Sequence, residues 1–259
     1  MKKQIKILLL LVIFLSNIFT YGITANNISE TVNLNSIIEE PKTYVSNKDD
    51  VFIGYTNCMV NVRKEPERVS KFITQLEYNT PVIYSIVDDK WVMIKCGQEV
   101  GYIYKTQISN DECDYIEYSV PNNDGFKSYM GYTTITSKTS KQYDIQQNYA
   151  YTGFYGIRQV NGRYCIALGS YCNANLGQYV DLILANGEII PCIMAETKSD
   201  AHTDNNNLFT ISNNCCSEFI VDTSSLHEDV KQKGNISYCC EEWNSPVTII
   251  KVYDENIYK

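Results

Sequence analysis

The sequence predicts a mostly β protein made of two small barrels, and three observations predict it. Tyr is abundant at 21 residues, Thr, Val and Ile are frequent, and Ala is scarce, a composition that suits pleated surfaces. No long stretch repeats apolar residues at helical spacing. Short runs of alternating apolar and polar residues are broken by turn clusters at 64–66, 78–81 and 88–90, as in a small antiparallel barrel.

The N-terminus reads as a leader. Lys2, Lys3 and Lys6 precede the apolar run 7–15, and the stretch ends at Gly22-Ile23-Thr24-Ala25. A basic start, a short apolar centre and a small exit residue predict a secretory signal peptide over 1–25, cleaved after Ala25. The run is shorter than the ~20 residues of a membrane span, so no stable insertion follows cleavage, although an uncleaved anchor is the alternative. No Cys follows it to carry a lipid. Losing three lysines and no acid takes the formal charge from −8 to about −11. That balance argues against a nucleic-acid partner, which needs a basic face. About 234 residues remain, enough for one or two domains. Residues 26–50 are polar and read as a linker.

The stretch 51–109 carries the sharpest pattern. Asn61-Val62-Arg63 is followed by Pro66, then by Trp91-Val92-Met93-Ile94, then by Gly101-Tyr102-Ile103. In that order the residues resemble the bacterial SH3 domain, over about 60 residues. The resemblance implies an SH3-like barrel that docks an extracellular protein onto the cell wall. Trp91 and Tyr102 would line its ligand groove, although a Trp at that place also serves as core. Residues 110–126 are acidic and turn-rich and read as a second linker.

Ten cysteines are present: Cys58, Cys96 and Cys113 in or beside the first domain, then Cys165, Cys172, Cys192, Cys215, Cys216, Cys239 and Cys240. An oxidising exterior makes disulfides the first expectation, with pairing not readable from spacing. Buried free thiols packing as small hydrophobes are the alternative. No Cys-x-x-Cys occurs and only His202 and His227 are available, so no metal and no cofactor is implied.

Over 127–255 the sequence predicts strands at 163–168, 179–184, 188–195, 219–222 and 247–253. Turns fall at Leu176-Gly177 and at Asn186-Gly187, the latter a hairpin signal. Strands so short with tight turns suggest closure. Ala167-Leu168-Gly169, Leu176-Gly177, Asn186-Gly187, Glu196 and Asp222 in this order resemble the double-psi β-barrel families, especially the 3D and rare lipoprotein A-like groups. The likeness spans roughly 100 residues and implies a six-stranded double-psi-like β-barrel. Barrels of that type cleave peptidoglycan glycan strands with one aspartate that donates a proton and then accepts one.

The resemblance makes Asp222 the acid/base, since it follows the apolar Phe219-Ile220-Val221. An Asp there can equally cap a turn. Glu196 would assist electrostatically, although the families usually have Asp at that position and its longer arm shifts the carboxylate by ~1.5 Å. His202 is a third candidate, as a base beside Asp222. Asp200, His202, Asp204 and Asn205 to Asn207 could also offer oxygens to Ca²⁺, yet they lack the Gly and terminal Glu of an EF-hand loop. No Gly-x-Ser-x-Gly, His-Glu-x-x-His or phosphate-binding Gly loop is present. The other reading is a barrel that binds without cutting, through aromatic faces such as Tyr171 and Trp243. The whole sequence therefore predicts a secreted, wall-associated protein whose partner is peptidoglycan or another cell-wall polysaccharide. It acts either as a lytic transglycosylase-like enzyme or as a non-catalytic binder.

Overall fold

The computed structural model describes residues 51–96 and 99–259. The leader over 1–25 and the linker over 26–50 lie outside the described residues. The described chain is mostly β, with two sheets.

The first sheet is built from β1 (Phe52–Thr56), β2 (Val60–Arg63), β3 (Phe72–Leu76), β4 (Pro81–Ile86), β5 (Trp91–Cys96), β6 (Glu99–Tyr104) and β7 (Ile108–Ser109). Every pairing is antiparallel, in the order β3-β2-β6-β5-β4-β1-β7. Alternation places Val60, Val62, Val82, Val92, Ile94 and Ile103 in one core beneath it.

The second sheet holds β8 (Tyr115–Ser119), β9 (Ser128–Gly131), β10 (Tyr151–Thr152), β11 (Arg158–Val160), β12 (Arg163–Leu168), β13 (Gln178–Leu184), β14 (Ile189–Thr197), β15 (Ser217–Val221) and β16 (Val247–Asn256). Its main path is β10-β11-β12-β14-β13-β16-β8, and β15 bridges β12 and β9. The β12/β14 and β9/β15 pairs are parallel. Six successive residues of β14, Ile190 to Ala195, are buried, as expected of a strand covered on both faces. The turn at Asn186-Gly187 joins β13 to β14 as the sequence predicts, with the Gly187 amide donating to the Leu184 carbonyl at 3.0 Å.

Two expectations change. Tyr115–Ser119, read as linker, is strand β8 and pairs with β16. Its Tyr-Ile-Glu-Tyr-Ser content of aromatic and β-branched residues is a strand signal that the flanking acids obscure. The expected closure is also absent, since among the described residues neither sheet closes on itself. Helical segments cover its faces instead. Helix α1 (Lys141–Asp144), capped by Ser140, runs on through a π-helical turn to Tyr149 and buries Ile145 and Gln146 against one face. Helix α2 (Glu228–Lys233) seats Val230 on the other face, with Ile236 and Trp243.

The two sheets share a seam. Tyr78, from the turn after β3, is buried in the second core, edge-on to Tyr179 at 5.2 Å and Tyr253 at 5.0 Å. Beside it, the Asn79 side chain donates to the Cys113 carbonyl at 3.0 Å and accepts from its amide at 2.8 Å.

Candidate functional site

Asp222 leaves the end of β15 behind the buried Phe219-Ile220-Val221. Its carboxylate accepts from the Ser224 hydroxyl at 2.6 Å, the Ser224 amide at 3.0 Å and the Thr152 hydroxyl at 3.2 Å. Thr152 in turn accepts from Arg158 at 3.0 Å. The Ser224 hydrogen bond above all, with smaller help from Thr152 and Arg158, holds the Asp222 carboxyl below the usual carboxylate range. A general acid in a lytic site needs the opposite shift. As placed, Asp222 is an ionised acceptor that closes the turn 222–225.

Glu196 stands elsewhere. Ala167 on β12 faces Glu196 on one side and Glu218 of β15 on the other. Asp222 lies four residues further along β15 and two strands across from Glu196. At ~3.3 Å per residue and ~4.8 Å per strand the two backbones are roughly 16 Å apart. The Glu196 carboxylate accepts from Gln142 at 3.1 Å and from the Thr197 amide at 2.8 Å. A single bulge, with Ala195 unpaired between Met194 and Glu196, turns Glu196 onto the Ala167 face.

His202 belongs to the Glu196 end, in an exposed 3-10 turn, Asp200–His202, that follows β14. The histidine near Asp222 is instead His227, whose amide donates to the Tyr155 carbonyl at 3.2 Å. The structure therefore does not gather Asp222, Glu196 and His202 into one site. The loop carboxylates are engaged locally. Asp204 caps the Leu208 and Phe209 amides at 2.8 and 3.0 Å, and Asp200 accepts from Ser170 at 2.8 Å. Among the described residues no three His, Cys, Asp or Glu side chains converge for a metal.

The aromatic candidates also sit differently from the sequence reading. Trp91 and Trp243 are each 6% exposed, Trp91 stacked on Tyr104 and Trp243 packed against Tyr164 and Phe219. Neither offers a face to a sugar. Tyr171 is half-buried, its hydroxyl donating to the Ser119 carbonyl at 3.0 Å. Tyr102 is half-buried on β6 opposite Met93 and Arg63. Other rings are exposed, among them Phe154 at 78% with Tyr149, Tyr151 and Tyr155 near it in the chain. Tyr155 adopts φ 61°, a conformation that costs a bulky side chain. Gly153-Phe154-Tyr155-Gly156, two aromatics between glycines, is the turn signal that could have found this knuckle.

An open groove of about 710 Å³ runs between α1 and the ends of β14 and β16, lined by Lys141, Asn175, Thr197, Asn256, Tyr258 and Lys259 among others. The Tyr258 ring forms part of its wall, with Lys141 Nζ 5.2 Å from the ring centre and Tyr149 edge-on at 5.6 Å. Asn256 and Tyr258 are held from behind. Asn256 donates to the Leu176 carbonyl at 3.0 Å, and the Tyr258 hydroxyl donates to Asp144 at 3.0 Å. The groove passes beside Glu196 through Thr197. The chain matches no protein-family model, no curated protein and no solved structure.

Proposed function

We propose that the chain is a secreted, cell-wall-associated protein whose C-terminal region binds peptidoglycan or a related anionic wall polysaccharide without cleaving it. In this reading residues 51–109 are a bacterial SH3 module and 127–255 are a double-psi-like unit. The groove beside Tyr258 carries the proposal. It sets an aromatic ring, side-chain amides and two ammonium groups along one open channel, with Lys259 also donating to the Asp254 carbonyl. Rings stack on sugar faces, amides meet hydroxyls, and the ammonium groups meet the carboxylates of stem peptides. The groove holds Lys141 and Lys259 against one acid, Asp254, a net positive lining on an acidic chain and so a favourable approach for such a polymer. Lytic cleavage has less support, because Asp222 is held ionised and stands apart from Glu196.

The test incubates the protein with purified peptidoglycan and examines both the pellet and whatever becomes soluble. Retention on the pellet with no released muropeptide is expected. Changing Lys141 and Lys259 together to Glu should weaken retention ~30-fold, at ~1 kcal/mol per lost charge contact, with an unchanged melting temperature. Release of anhydro-muropeptides would overturn the binding reading in favour of cleavage. A protein that stays in the supernatant would defeat both.

A further inference from the structure

Lys198, just past β14, and Cys215, just before β15, meet at the end of the second sheet. Lys198 Nζ lies 3.3 Å from Cys215 Sγ, and it also donates to the Cys215 carbonyl at 2.9 Å and to the Thr210 hydroxyl at 2.8 Å. The Ser128 hydroxyl reaches the same sulfur at 2.9 Å. Cys215 is 1% exposed, whereas Lys198 is only half-buried, so the ammonium side is the sulfur's path to solvent. We propose that Lys198 and Cys215 form a peroxide-responsive pair, in which two-electron oxidation of the thiol joins Sγ to Nζ as a sulfenamide. The inference is independent of the wall-binding reading.

The chemistry balances with a peroxide as oxidant. The Cys215 sulfur attacks one peroxide oxygen, the O–O bond breaks, the departing hydroxide takes the thiol proton to leave as water, and the sulfur is left as a sulfenic acid. The lysine ammonium gives one proton to solvent and its lone pair attacks the sulfur. The S–O bond breaks, and the departing hydroxide takes a proton to leave as a second water. Sulfur is oxidised by two electrons and the peroxide is reduced by two.

Geometry decides which partner traps the sulfenic acid. Burial keeps thiols of other molecules from Cys215. The adjacent Cys216 packs into the core with Phe219 and Trp243, and burial pushes its thiol up to about 11, so it is protonated and a poor nucleophile at neutral pH. The amine is already in contact.

The full chain would be treated with hydrogen peroxide, unfolded, alkylated, digested without reductant and mapped by mass spectrometry. The expected product joins the peptides holding Lys198 and Cys215, is lighter than their sum by two hydrogens, and separates on adding dithiothreitol. Lys198→Arg keeps the cation but should lose the cross-link and carry Cys215 on to sulfinic acid, with melting curves confirming that the variant is folded. Cys215 recovered as a free, alkylated thiol from the peroxide-treated wild type would overturn the proposal. So would Cys215 bridged to Cys216 or to any other cysteine.

Discussion

Arg163 and Asp181 form a buried ion pair where the two sheets meet. Arg163 also donates to the Cys192 carbonyl at 2.7 Å and the Val180 carbonyl at 2.9 Å, and lies 4.8 Å from the centre of the Tyr179 ring. The second oxygen of Asp181 accepts from Tyr253 at 2.6 Å. Burial and the Asp181 charge both push the Tyr253 phenol up, so it stays a donor. Asp181→Ala should therefore lower stability by about 3–5 kcal/mol, because it leaves a buried guanidinium without its counter-charge. A shift in urea midpoint at constant slope would measure it, and a change below about 1 kcal/mol would show that the pair is not buried as described. None of this was legible in the sequence. Arg163 and Asp181 read there as ordinary strand residues, and their meeting depends on how β12 and β13 flank β14. Asp222 shows the converse. Its exit from a strand was legible, but its hydrogen-bond partners, Thr152 and Ser224, come from a distant β10 and a local turn, and only the fold joins them.

At the scale of elements, the strands with uninterrupted apolar runs and clean turn signals were legible. Arg163–Leu168 is found as read, and the strands on either side of Asn186-Gly187 differ from their readings only at the ends. The strap over residues 141–149 was missed. Its apolar content is Ile145 with two tyrosines, Tyr143 and Tyr149, over two turns, too little for a helical period to register. Connections decide stability unequally. Gly156 sits at φ 78°, and a Cβ there would stand 2.5 Å from the Ser225 backbone, where the aromatic knuckle crosses the turn after β15. Gly187 has φ 88° but open space around it. Gly187→Ala should thus cost only about 1 kcal/mol, the penalty of a left-handed Ala. Gly156→Ala adds a backbone clash and should cost several times more. Thermal melts of the two variants side by side check the ranking, and equal losses would mean that the knuckle can move away from the turn.

For the whole molecule, the ten cysteines make the sharpest test, because all ten are free thiols in the structure. Burial pushes Cys165 and Cys172 up to about 12, Cys216 up to about 11, and Cys192 well above its ordinary value. Each keeps its proton in the folded chain and loses it on unfolding above about pH 9, so the stability they supply is complete below that pH and falls as pH rises toward 12. Lys127 acts in the other direction. It is fully buried, with its ammonium on the carbonyls of Gly125, Trp243 and Ser245. Burial pulls it down to about 8, so its unfavourable contribution is complete below that pH and fades between 8 and 10.5. Buried thiols outnumber the one lysine, so above about pH 9 the net effect is a loss of stability that grows with pH. The melting temperature should therefore hold steady to about pH 9 and then fall steeply. A half-cystine has no proton to lose. A melting temperature that stays level to about pH 11 would mean that these sulfurs are paired in disulfides, as an oxidising exterior would favour, and the free-thiol core would have to be abandoned.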